Sequence, residues 1–160
     1  MSIHRSKRPN AARILAVLVA LVATPLLTAP SCQPLLNARV VAQGLAAPIY
    51  ATAPLGDARL FVLERAGTIR IQQNGSVLST PFLDIRSRVS TTGEGGLLGA
   101  AFPANYASSG HFYIFYAATN GDSVLSRFVR SSTNPNLTDA ASEQRLLSVA
   151  PPGTRHKGGT

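Results

Sequence analysis

Gly93-Glu94-Gly95-Gly96-Leu97-Leu98-Gly99-Ala100-Ala101-Phe102 sets four glycines and one carboxylate at the head of a small-residue apolar run that Pro103 closes. Glycines this dense allow another backbone or a flat ligand to come close, because no Cβ stands in the way. A similar run, Ile49 to Ala53, stands one unit earlier and is closed by Pro54. Pro54 and Pro103 are 49 residues apart, and Leu60-Phe61-Val62 precedes Phe112-Tyr113-Ile114 by 52. A period near 50 residues, with four short strands in each unit, is the pattern of β-propeller blades. The innermost strand of a blade is short and built from small residues because it crowds the central channel. Both runs fit that position, so Leu97 to Phe102 reads as the inner strand of the second blade, with Glu94 at its approach.

The residues around the two runs complete the units. In the first, Pro54-Leu55-Gly56-Asp57 reads as a turn, Arg59 to Glu64 as a strand, Ala66-Gly67 as a turn and Thr68 to Gln72 as an alternating strand. Asn74-Gly75 is a strong two-residue hairpin signal leading to Val77-Leu78, with Phe82 to Ile85 beyond. In the second, a polar turn from Pro103 to Gly110 leads to the strand His111 to Tyr116. Asn120-Gly121-Asp122 is the next turn, Ser123 to Arg130 the next strand, and Glu143 to Val149 the outer one. Arg39 to Ala42 reads as a further short strand, and nothing supports a long helix. The expected fold is all-β, a partial β-propeller of about two blades. One more period leads to Gly153-Thr154-Arg155-His156-Lys157-Gly158-Gly159-Thr160, the approach to a third inner strand. A ring closes with about four to eight blades, so the expectation is the front part of a longer propeller or a truncated product.

Residues 1–31 read as a secretory signal peptide: basic Arg5, Lys7, Arg8 and Arg13, an unbroken apolar stretch Ile14 to Val22, and a small-residue tail Thr28-Ala29-Pro30-Ser31. The apolar stretch is shorter than a membrane span requires. Residues 32–160 form the propeller part. The whole chain has 15 Lys and Arg against 7 Asp and Glu, a net charge of +8. Without the four basic residues of the signal, 11 stand against 7 and the net charge is +4. Those 11 are scattered rather than striped, which argues against nucleic acid as a partner. Cys32 is the only cysteine, so no disulfide forms within the chain. Its place after the signal resembles the lipid-modified cysteine of bacterial lipoproteins, but Pro30 suits that cleavage poorly. Simple cleavage nearby is the expectation, and a lipid anchor at Cys32 the alternative.

Common catalytic motifs do not fit. From Gly93 the third glycine of a dinucleotide fingerprint falls on Leu98, and no helix follows. Gly121-Asp122-Ser123-Val124-Leu125 lacks the second glycine of a nucleophile elbow. One cysteine and the separate His4, His111 and His156 make no zinc set. Glu94 reads either as a ligand-contacting carboxylate or as a solvated turn acid. His111 opens an aromatic strand and reads as a packing or edge residue. His156 lies one blade on from Glu94, in a glycine-rich loop, and reads equally as a loop residue or a site residue.

Several segments, in order over roughly residues 40 to 160, resemble the soluble sugar dehydrogenases that use pyrroloquinoline quinone, the glucose/sorbosone dehydrogenase family. They are Gly44-Leu45-Ala46-Ala47-Pro48, Leu60 to Ile69, Phe82-Leu83-Asp84-Ile85, Gly93 to Phe102, and His156-Lys157-Gly158-Gly159. The resemblance implies an exported, six-bladed propeller in which calcium holds the quinone over the channel. It implies that His156 is the general base, taking the proton of the anomeric hydroxyl as a hydride passes to the quinone. A neutral imidazole suits that task at neutral pH. Glu94 falls where members place Glu or Gln near the sugar and quinone, so it would orient the substrate by hydrogen bonding. Arg155 and Lys157 depart from the Asn, Asp or Gln that usually flank the histidine; two cations favour the neutral imidazole a base needs. The calcium ligands and the cations that grip the quinone would lie beyond residue 160, which makes this chain alone inactive. The substrate would be a sugar, and the resemblance leaves the electron acceptor unnamed. The rival from another class is a non-catalytic secreted propeller that binds glycans or proteins.

Overall fold

The computed structural model describes residues 37–150, which fold into two antiparallel sheets in chain order. The signal, Cys32 and the segment holding His156 lie outside the described residues.

The first sheet contains β1 (Pro48–Thr52), β2 (Leu60–Glu64), β3 (Thr68–Gln73), β4 (Ser76–Val77) and β5 (Leu83–Asp84). The second contains β6 (Leu97–Ala101), β7 (His111–Ala117), β8 (Ser123–Val129) and β9 (Gln144–Val149). Each runs as a meander, β1-β2-β3-β4 and β6-β7-β8-β9. This is two consecutive blades of a β-propeller. The inner strands share an irregularity, a register shift at Pro48/Tyr50 in β1 and at Leu97/Gly99 in β6. From Pro48 to Leu97 is 49 residues, so the repeat extends to the same local bend.

The outer position of the first blade is divided. β4 pairs with the end of β3 and β5 with its beginning. Ser79-Thr80-Pro81 interrupts them, and Pro81 has no N–H to give to a ladder. Leu78 and Phe82 still donate backbone hydrogen bonds to Ile71 and Ile69, at 2.8 and 2.7 Å, so the edge stays attached on both sides of the break. Asn74 and Gly75 both take positive φ, 53° and 82°, as a tight hairpin turn between right-twisted strands requires. The turn before β7 contains one helical turn, α1 (Tyr106–Ser109), ended by Gly110. Arg39 to Ala42 is no strand: it pairs with nothing among the described residues, and Val40 and Val41 are exposed.

Alternation decides which side chains meet. Phe61 and Leu63 of β2 stand beside Ile71 and Ile69 of β3, and Phe112 and Tyr116 of β7 beside Phe128 and Val124 of β8. All eight are buried and belong to one core between the sheets. Five of the six phenylalanines meet there. Phe61 contacts Phe82 and Phe102, and Phe112 contacts Phe82, Phe102 and Phe128, with ring centroids 4.8–5.8 Å apart. Fully burying side chains of this size stabilises by about 1.5–3 kcal/mol each.

One carboxylate joins that core. Glu143, just before β9, accepts hydrogen bonds from Tyr116 Oη and Ser126 Oγ at 2.7 Å and from Arg88 Nη1 at 2.6 Å. Burial works against its charged form, but the two hydroxyls and the Arg88 cation outweigh it and hold its carboxyl below the usual glutamate range. A carboxyl whose folded pKa is depressed contributes stability at pH above its unfolded value of about 4.3, and loses it as pH falls through the folded value. Glu143→Gln should therefore flatten the pH dependence of the urea midpoint below about pH 4.5. An unchanged acid slope would show that the network contributes nothing to acid stability.

Candidate functional site

The Gly93–Phe102 stretch divides in two: residues 93–96 form a loop and Leu97–Ala101 the strand. That loop lies at the end of the blades where the β2–β3 turn and the β7–β8 turn also sit. Backbone hydrogen bonds fix both flanks. Ser90 N donates to Ala117 O at 2.8 Å, Ala117 N to Gly96 O at 2.9 Å, and Leu97 N to Arg65 O at 3.0 Å.

Arg65, in the β2–β3 turn of the first blade, holds the loop from beneath. Its Nε donates to Gly95 O at 2.9 Å, and its Nη2 donates to Thr91 O at 2.8 Å and to Gly93 O. One guanidinium thus gathers three carbonyls that have no strand to pair with. The glycines explain how it fits. A Cβ at position 96 would lie 2.8 Å from Arg65 Cγ and 2.9 Å from Arg65 O, and one at 95 would lie 2.5 Å from Ser90 O. The close approach that the glycine pattern signals is made, at these two positions, by Arg65 and the loop's own backbone. In the sequence Arg65 stood only within a resembling segment; its signal was an arginine following a buried acid in a tight turn.

That buried acid, Glu64, is 5% exposed. It accepts from Ala46 N at 2.7 Å and from Thr68 Oγ1, while Arg65 N donates to Ala47 O at 3.0 Å. The turn that carries Arg65 is therefore anchored to the Gly44–Pro48 segment as well.

Glu94 stands exposed at the tip of this braced loop. His111 is at the other end of its blade, starting β7 opposite Val129, and does not approach Glu94. His156, the carried-over base, lies outside the described residues. The other arginines at the Glu94 end are also engaged: Arg86 pairs with Asp84 at 2.7 Å, and Arg88 with Glu143 at 2.6 Å. Among the described residues no three His, Cys, Asp or Glu side chains gather to hold a metal ion. This end therefore presents an exposed carboxylate on a loop braced by Arg65 and by backbone hydrogen bonds.

Residues 45–160 match the family model for glucose/sorbosone dehydrogenases. The chain belongs to that family. Among solved structures, the PQQ-bound aldose sugar dehydrogenase of Streptomyces coelicolor is 30% identical, with a TM-score of 0.61 over 74% of this chain and 35% of that one. A putative oxidoreductase (glucose dehydrogenase) of Thermus thermophilus is 23% identical, with a TM-score of 0.58 over 69% of this chain and 32% of that one, a likeness of fold. Among curated proteins, the Hedgehog-interacting proteins of human and mouse are each 31% identical over 134 residues, covering 74% of this chain and 19% of theirs. The chain therefore spans about a fifth of the curated relatives and about a third of the solved ones. The family match takes in both the Glu94 loop and the His156 segment.

The bracing of this loop by Arg65 is testable. Arg65→Met removes all three carbonyl contacts while keeping the apolar stem, and the Gly95 and Ala117 amides should then exchange with solvent faster. Arg65→Lys should not restore protection, since a single ammonium cannot reproduce the planar fork. Unchanged exchange in Arg65→Met would show that the backbone bonds alone hold the loop.

Proposed function

We propose that the protein carrying this chain is an exported, pyrroloquinoline quinone- and calcium-dependent aldose dehydrogenase. The chain contributes two blades and one side of its site. The observation that carries this reading is the family match from residue 45 to 160, which joins the braced Glu94 loop and His156 in one alignment. The likeness to a PQQ-bound aldose sugar dehydrogenase supports the cofactor and the substrate class.

In this reading Glu94 accepts hydrogen bonds from the sugar hydroxyls and fixes the ring. His156 takes the proton from the anomeric hydroxyl, and a quinone, when bound, would supply the acceptor for the hydride. The residues that hold quinone and calcium are proposed to lie outside the described ones. Because Glu94 is presented by a loop braced from two blades, its contribution is positional. The product is released to the periplasm or the medium, with the N-terminal segment directing export and Cys32 the alternative point of lipid attachment.

A second reading rests on the Hedgehog-interacting proteins, whose 31% identity is as high as that of the dehydrogenase structure. It makes the propeller a protein-binding module without catalysis. The two separate in one assay. Full-length protein reconstituted with quinone and calcium should oxidise aldoses with an artificial acceptor, and Glu94→Ala should lower kcat/KM by about tenfold. A reconstituted protein inert towards every aldose would favour the binding module.

A further inference from the structure

The ends of the blades remote from Glu94 hold a concavity of about 420 Å³. It opens between the β1–β2 turn, α1 and the loop after β8, and Leu55, Asp57, Arg59, Tyr106, Arg130 and Asn136 define it. β2 starts here and ends at Glu64, next to Arg65, so nothing in this concavity belongs to the glycine loop.

Its two arginines are in different states. Arg59 is fully used: it grips the Asp57 carboxylate through Nε and Nη2, and its Nη1 donates to Pro135 O and Asn136 Oδ1, both at 2.7 Å. Arg130 is not. Its Nη2 reaches Ala107 O only at 3.4 Å, and its Nε is buried without a protein hydrogen-bond partner. The guanidinium lies over the Tyr106 ring, 5.7 Å from its centroid. Tyr106 is 3% exposed; the Arg59 guanidinium lies against its hydroxyl, which has no protein acceptor for its own O–H.

Charge and hydrogen bonding agree. Asp57 is balanced by Arg59, which leaves Arg130 as a net positive charge among the lining residues. The Arg130 Nε–H can only donate, and guanidinium groups beside the Tyr106 oxygen can only donate to it, which leaves its O–H to donate elsewhere. Buried polar groups are nearly always paired, so two donors without a protein acceptor on one wall point to an acceptor from outside the chain. A guanidinium with free N–H groups matches a carboxylate or phosphate in shape and charge. The cavity is larger than an inorganic ion needs, and Leu55, 86% exposed at its rim, offers an apolar wall.

We infer that Arg130 and Tyr106 form a binding site for the oxyanion group, carboxylate or phosphate, of a small organic molecule, at the opposite end of the blades from the sugar site. The site is independent of the dehydrogenase reading.

Calorimetric titration of the full-length protein with inorganic phosphate, sulfate, acetate and citrate at low ionic strength tests it. At least one anion should bind saturably, and preference between the phosphate and carboxylate arms identifies the group. Arg130→Met should weaken that binding by about tenfold or more, and Tyr106→Phe by about three- to tenfold, since a charge-assisted contact outweighs a neutral one. Aldose oxidation should be the same in both variants. No saturable binding of any of the four anions would overturn the inference, as would equal affinity in Tyr106→Phe and wild type. Tyr106→Phe deletes one oxygen and keeps the ring, so it decides the matter even where Arg130→Met does not fold. Crystals soaked in selenate should show the anomalous peak between Arg130 and Tyr106; a peak elsewhere alone would also overturn it.

Discussion

Replacing His156 by alanine in the full-length protein should lower kcat for aldose oxidation by about 10²- to 10⁴-fold, the range that positioned general bases supply. Binding of quinone should stay unchanged, because the proposed role is proton removal rather than cofactor retention. Aldose KM should move little for the same reason. This split distinguishes a base from a residue that shapes the pocket, whose loss would raise KM with kcat preserved. A His156→Ala protein that keeps full kcat would remove the base from the mechanism and leave Glu94 as the sole carried-over site residue. The flanking Arg155 and Lys157 sharpen the expectation, since neighbouring cations disfavour the imidazolium and keep the base ready.

The largest stability effect is expected at Phe112. Its ring contacts Phe82 of the first blade, Phe102 at the end of β6 and Phe128 of β8, and the residue is fully buried. Phe112→Ala should cost about 3–5 kcal/mol, the usual range for emptying a packed aromatic position. The loss falls on the contact between blades as well as on the second blade itself, so the two should no longer unfold together in urea. A loss below about 1 kcal/mol would mean that the neighbouring rings collapse into the space and that the inter-blade core is less specific than its geometry indicates.

The strands were legible because their residues alternate between two environments and their turns carry chemical markers. Asn74-Gly75, Asn120-Gly121 and the paired Pro54 and Pro103 set the hairpins and the period, and the structure repeats even the bend in the inner strand. What escaped depends on contacts distant in sequence. The break at Ser79-Thr80-Pro81 matters only because β3 is long enough to pair with segments on both sides of it. Arg39 to Ala42 has the composition of a strand, but composition does not supply a neighbour to pair with. The Glu143 network joins Arg88 to a carboxylate 55 residues away, a spacing no local pattern marks.

The Glu94 loop was half legible for the same reason. Glu94 stood out as the acid within a glycine run. Arg65 did not, since its three carbonyl partners at 91, 93 and 95 come together only when the loop folds over the preceding blade. His156 carries a role through resemblance alone, and physical chemistry adds only that its type and neighbours suit a base.

The most direct measurement is a titration of the full-length protein with pyrroloquinoline quinone in the presence of calcium, followed by absorbance. Saturable binding is expected, with loss of that binding when calcium is chelated and reduction of the bound quinone on adding an aldose. A protein that binds no quinone with calcium present would contradict the dehydrogenase reading and leave a propeller that binds without catalysing.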